Sequence, residues 1–278
     1  MTDEFKKKII DALKKGGFPT ELKVGKILDN RDWFNINNYI YFDNDKKISR
    51  EIDFLCVKHS LSNDYFNVKF DVHLIIEVKK SEKPWAFFIQ NFKYDEIDHD
   101  KFSSVVYKNI NHIIWDNLYT GFPTQKIDFI SSSYAEVFRD TEISNIYKAI
   151  ESVTKATYHF RITNEIDRDR DRDKAENSFA DDLFEDIDKS QPSAINVFIP
   201  IVVLEGLIVK AKLNPHSDLE IEETLFVPFI SYFMSEYNVE RSIIINFLTL
   251  EYLDKFLENI EKWIENKATE IMNIRNAK

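Results

Sequence analysis

The chain has 278 residues, 44% of them hydrophobic and 31% charged, with 23 Phe and 12 Tyr against only 5 Gly and 7 Pro. Such a chain can bury a sizeable core, which excludes collagen-like, low-complexity and globally disordered classes. The net charge is −11, and the single Cys56 excludes an internal disulfide or a cysteine-built zinc cage, as expected of a protein in a reducing cytoplasm.

From the N-terminus, Asp3 to Lys15 places Phe5, Ile9, Ile10 and Leu13 at helical spacing and stops at Gly16-Gly17. It reads as a helix and not as a secretory signal, since no uninterrupted apolar run precedes the glycines. Thr20 can cap a second helix that carries Glu21, Leu22, Val24, Ile27 and Leu28. The period then changes. Trp33 to Phe42 and Ile48 to Lys58 read as strands around an Asp43-Asn44-Asp45 turn, and Val72 to Lys80 as a third strand. Strict alternation puts Ile52, Phe54 and Cys56 on one face of the second strand, with Glu51, Asp53, Leu55 and Val57 on the other. In the third strand it separates Val72, Leu74, Ile76 and Val78 from His73, Ile75, Glu77 and Lys79.

Pro84 is expected to open a helix through Trp85, Phe88, Ile89 and Phe92, and Glu142 to Tyr158 a longer amphipathic one. Asp128 to Ser133 reads as a short strand. The segment 163–193 is polar and contains the alternation Asp167 to Asp173, the pattern of a solvated loop or exposed helix. Between Glu165 and Lys189, eleven acidic residues face five basic ones. About half of the acidic excess therefore lies there, which weakens the objection that charge raises to an anionic partner. Strands follow at Ile195 to Leu204, Leu207 to Leu213, Ile221 to Phe233 and Ser242 to Phe247, with a helix from about Thr249 to the end. The most apolar stretch, Ile195 to Val209, is interrupted and too short for the ~20 residues of a membrane span.

Five acid-x-Lys triplets occur in the chain, at Glu4, Glu21, Asp45, Glu77 and Glu265. Only Glu77/Lys79 ends an apolar strand, where i, i+2 spacing turns both side chains to one face. Asp53 lies inside the preceding strand and not in its turns. If the two strands pair, Asp53 and Glu77 come within reach of one divalent cation. Carboxylate oxygens suit Mg²⁺ or Mn²⁺, and a nearby lysine can position water or stabilise charge on a phosphate. The competing reading is a plain ion pair on a half-exposed sheet face, with Lys79 bonded to either acid.

A helix with Glu21, a strand with Asp53 and a strand ending Ile76-Glu77-Val78-Lys79 together resemble the PD-(D/E)xK nuclease superfamily, from about Phe18 to Tyr94. The resemblance implies one α/β domain over 1–278, a restriction-endonuclease-like central mixed β-sheet flanked by helices, with the acidic 163–193 segment inserted. It further implies a Mg²⁺- or Mn²⁺-dependent nuclease in which Asp53, Glu77 and the Val78 carbonyl bind the ion, Lys79 serves the attacking water and Glu21 completes the site. The proline of the family name is absent, since Ile52 precedes Asp53. Gln90-Asn91-Phe92-Lys93-Tyr94 is similar to the Gln-x-x-x-Tyr pattern of the exonuclease and recombination-nuclease branch, although Asn91 stands where that branch usually has an apolar residue. It implies that Gln90 and Tyr94, one helical turn apart, touch a nucleotide. The implied partner is nucleic acid, DNA in preference to RNA, and the implied setting cytoplasmic phage defence, with a homodimer or a guiding protein partner left open. A non-catalytic nuclease-fold module for nucleic-acid binding or protein assembly is the alternative, favoured by the acidity. The six histidines lack zinc spacing, and no glycine-rich phosphate loop exists for an ATPase or a dinucleotide enzyme.

Overall fold

The computed structural model describes residues 1–15, 17–43, 46–63, 68–91, 105–108, 128–138, 144–176, 193–234 and 240–276. Its elements are α1 (Asp3–Lys15), α2 (Phe18–Asn30), β1 (Phe34–Asp43), β2 (Ile48–Asn63), β3 (Val68–Lys80), β4 (Trp85–Asn91), β5 (Val105–Lys108), β6 (Phe129–Glu136), α3 (Asn145–Glu176), β7 (Ser193–Glu205), β8 (Ile208–Leu213), β9 (Leu219–Glu223), β10 (Phe226–Met234), β11 (Glu240–Thr249) and α4 (Leu250–Asn276). The fold is mixed α/β. One mixed sheet runs in the order β1-β2-β3-β7-β11-β10-β6-β4-β8-β9, and β5 adds to β7. No helix among the described residues is long and apolar enough to cross a membrane.

Alternation along the central strands feeds two cores. On one face Phe54 and Cys56 of β2, Leu74 and Ile76 of β3 and Ile199 and Ile201 of β7 pack with Val24 and Leu28 of α2 and Leu253 and Leu257 of α4. On the other, Ile146, Ala149 and Val153 of α3 cover Val202, Leu204 and Phe247, while Ala156 and Phe160 further along α3 meet Leu55, Ile75 and Phe198. The helix–sheet–helix layering follows from strands that are apolar on both sides.

Several expectations change. The segment after Pro84 is a strand. Trp85, Phe88, Ile89 and Phe92 fit a helical period, but the buried residues are Trp85, Ala86 and Phe87, and Phe88 is 40% exposed. In so short an apolar run the two periods compete, and pairing of β4 with β6 and β8 decides for the strand. The Ile221 to Phe233 run splits in two at Thr224-Leu225. The helix expected at Glu142 to Tyr158 is α3, which continues to Glu176, so the whole Asp/Arg alternation lies on a helix. Strand β5 has no counterpart in the sequence reading.

Glu205-Gly206 does not make a hairpin. Strand β7 pairs in parallel with β3 up to Lys80 opposite Glu205, and the two chains then pass together into the parallel pair of β4 and β8. The crossing is tight, because a Cβ on Gly206 would lie 2.4 Å from the Ser81 carbonyl oxygen. Strand β4 is three steps from β11 in the sheet, about 14 Å if the sheet were flat. Trp85 of β4 and Phe247 of β11 nevertheless have ring centroids 6.1 Å apart, so the sheet curls over its own core.

Candidate active site at the fork of β2 and β3

The β2–β3 ladder ends with Phe54 opposite Ile76, whereas β3 stays paired with β7 to its last residue. At the same level the β1–β2 ladder lapses between Asn37/Phe54 and Tyr39/Ile52. The cause is local. Asn38 has φ 53°, a left-handed conformation that asparagine tolerates better than most residues. The alternation changes phase there, so Ile52 packs with Leu55 and Ile75 on the α3 side instead of with Phe54 and Cys56, against the strict alternation read from the sequence. Asp53 is the residue at the step. With no ladder partner of its own, it turns its carboxylate to β3, and Oδ2 accepts the Val78 N–H at 2.6 Å.

Glu77, 7% exposed, stands on the α3 side of β3. Lys79 Nζ donates to its Oε1, and Ser152 Oγ on α3 donates to Oε2 at 2.7 Å. Tyr41 Oη donates to the Ser152 carbonyl at 3.3 Å, completing the wall on that side. Glu21 approaches from the other side, on the first turn of α2. That turn is pinned to the end of β7, where Glu205 accepts bonds from Thr20 Oγ1 and Lys23 Nζ. Glu51 is exposed at the rim.

The electrostatics follow from this crowding. Burial pushes Glu77 up from the ordinary carboxylate range, Lys79 pulls it down and Asp53 pushes it up again. Asp53 is also raised by burial, against the Val78 N–H and Lys79. Glu21 is raised by burial and then by Asp53, and Lys79 counters both. One lysine thus serves three acids that all resist ionising together.

In kind, these donors fit a hard divalent cation. Asp53 Oδ1 has no hydrogen-bond partner among the described residues, and an added positive charge would relieve the crowding that raises both Asp53 and Glu77. They do not form a closed cage. Among the described residues, no three His, Cys, Asp or Glu side chains are grouped so as to hold a metal ion, and Glu77 has both oxygens engaged. Mg²⁺ commonly binds through one or two carboxylates and completes its shell with water and substrate phosphate.

Gln90 is exposed on β4, opposite Ile130 of β6, in a strand where a helix was expected, and is not part of this group. Tyr94 lies outside the described residues. Ser152 and Tyr41 were not singled out in the sequence. Ser152 sits beside the apolar stripe of α3 and only the docking of that helix brings it to Glu77, so no local signal marks it. Comparison with models of known families, with characterised proteins and with solved structures finds no match.

Proposed function

We propose that the chain is a metal-dependent nuclease with a restriction-endonuclease-like core, hydrolysing phosphodiester bonds in nucleic acid, DNA in preference to RNA. The observation that supports this most is the convergence of Asp53, Glu77 and Lys79 at the β2–β3 fork, where one buried and one half-buried carboxylate share one ammonium group. An isolated structural ion pair needs no second acid, and the second acid makes the pair costlier.

Asp53 and Glu77, with the Val78 carbonyl, would hold Mg²⁺ or Mn²⁺, and Glu21 would bind through water at the rim. The bound ion supplies charge neutralisation for phosphate oxygens and makes a nearby water more acidic. Lys79, beside Glu77, would present an ammonium group to charge that develops on the phosphate. Burial by Tyr41 and α3 thins the water on one side, which strengthens each of these interactions. A cytoplasmic role in phage defence belongs to this reading, with a second copy or a guiding protein to direct cleavage.

The test is cleavage of duplex DNA, single-stranded DNA and RNA in millimolar Mg²⁺ or Mn²⁺ by the wild type, Glu77→Ala and Lys79→Ala. Cleavage is expected in the wild type and lost in both variants. Equal cleavage in all three would trace the activity to a contaminant and end the reading. A non-catalytic binding or assembly module is the second reading, favoured by the net charge of −11 and by the lack of a three-acid metal cage among the described residues. It predicts no cleavage and no saturable binding of Mn²⁺.

A further inference from the structure

We infer that Ser152 is a positioning residue for Glu77, an assignment that rests on reading Glu77 as a metal ligand. A serine or threonine inside a helix commonly either faces solvent or turns its hydroxyl back to the carbonyl one turn earlier. Thr157 and Thr163 of α3 do this, donating to the carbonyls of Val153 and His159 at 2.7 Å each. Ser152 does not. Its hydroxyl leaves the helix and donates to Glu77 Oε2, also at 2.7 Å.

The helical turn that carries the hydroxyl is held in place from two directions. Tyr41 Oη donates to the Ser152 carbonyl, and the flanking α3 residues are tied to the β1–β2 hairpin. Glu151 accepts from Lys46 Nζ at 2.9 Å and from Arg50 at 3.1 Å, and Lys155 Nζ donates to Asp43 at 2.7 Å. Helix docking therefore fixes where Oε2 lies. Lys79 and Ser152 hold the two oxygens of one carboxylate from two different elements, which sets the plane of the group.

The two donors differ in what an arriving cation does to them. Lys79 is positively charged and competes with a metal ion for Oε1. Ser152 is neutral, so it neither repels the ion nor has to leave. It keeps the orientation of Glu77 while the partner of Oε1 changes. Hydrogen-bonding groups behind metal-binding side chains commonly contribute 10–100-fold to metal affinity.

Mn²⁺ titration by calorimetry, taken to millimolar concentration on the full chain, tests the assignment in the wild type, Ser152→Ala and Ser152→Thr. Thermal melting of each protein runs alongside, and alanine is well accepted in a helix. The expected result is binding weakened by about 10–100-fold in Ser152→Ala, recovered in Ser152→Thr, with melting unchanged. Wild-type affinity in Ser152→Ala overturns the assignment and leaves the metal site standing. Equal loss in both variants also overturns it, because the hydroxyl would then not be the group that matters. Absence of saturable binding in the wild type overturns the metal reading and this assignment with it, a different failure from the other two.

Discussion

Asp43 and Glu77 both bond to the same stretch of α3, are 4% and 7% exposed, and are driven in opposite directions by their surroundings. Burial pushes Asp43 up, but hydrogen bonds from Lys155, the Lys46 N–H and Arg50 outweigh it and hold the carboxyl at about 2. Burial pushes Glu77 up and a single lysine fails to offset burial and the charge of Asp53. Depth does not separate the two. The ratio of cations to acids does: Lys46, Arg50 and Lys155 serve Asp43 and Glu151, while Lys79 serves Asp53, Glu77 and Glu21. The first group fastens the β1–β2 hairpin to α3. The second holds more acid than its one lysine offsets, and this imbalance is what the metal-site proposal above draws on.

The largest effect expected from this contrast is on stability. Asp43→Ala leaves Arg50 and Lys155 without their buried acceptor and should cost ~3–5 kcal/mol in urea unfolding. A loss below about 1 kcal/mol would mean that the hairpin is not fastened there. On the other side of the comparison, Glu77→Ala or Lys79→Ala should lower cleavage by at least ~100-fold, as removal of a charge-stabilising group does elsewhere. Thermal melting of the same variants should show no matching collapse.

Gly206→Ala probes the crossing that supports the second group, since its Cβ would meet the Ser81 carbonyl. A cost of ~1–3 kcal/mol is expected, from overpacking against backbone that cannot swing away. The smallest effect has the opposite sign. Because Glu77 is raised in the folded state, the folded protein binds more protons than the unfolded one between the ordinary carboxylate value and the raised one. Stability therefore falls as pH rises through that window. Glu77→Gln should raise the melting temperature at neutral pH by ~2–4 °C, about 1 kcal/mol for a chain of this size, and the gain should vanish in acid. Asp43 behaves conversely. Its contribution is full above pH ~4 and disappears as pH falls through about 2. A neutral or destabilising Glu77→Gln would erase the distinction between the two groups.

The parts of the fold that could be read in the sequence were those with long, unambiguous periods. Helices α1 and α4 and strands β1, β2, β3 and β7 follow from their alternation, and so do Glu77 and Lys79, because charge at the end of an apolar strand is conspicuous. Strand β4 is ambiguous in the sequence because five apolar residues satisfy two periods at once. The 221–233 run reads as one strand because no glycine or proline at Thr224-Leu225 announces a break. Asp53 was legible as an acid inside a strand, but the step at Asn38 that turns it toward β3 was not. Backbone handedness leaves little trace in residue type when glycine is not used. Ser152 was hidden for a different reason, since its role arises only where α3 meets the sheet.

Asn38 also protects the outer edge of the sheet. From Phe34 to Phe42 the edge strand contains no charged residue and no proline, the devices that usually discourage a strand from pairing with another molecule. Its exposed apolar residues, Phe34, Ile36, Ile40 and Phe42, are symmetric about Asn38. Were the strand regular they would form one unbroken sticky ridge, the same in either direction and so suited to its own copy. The left-handed residue in the middle throws the two halves onto opposite faces. One asparagine therefore stands both at the step where Asp53 turns to β3 and at the break in an otherwise continuous apolar edge, and a β-branched residue, strained in a left-handed backbone, is expected to disturb both.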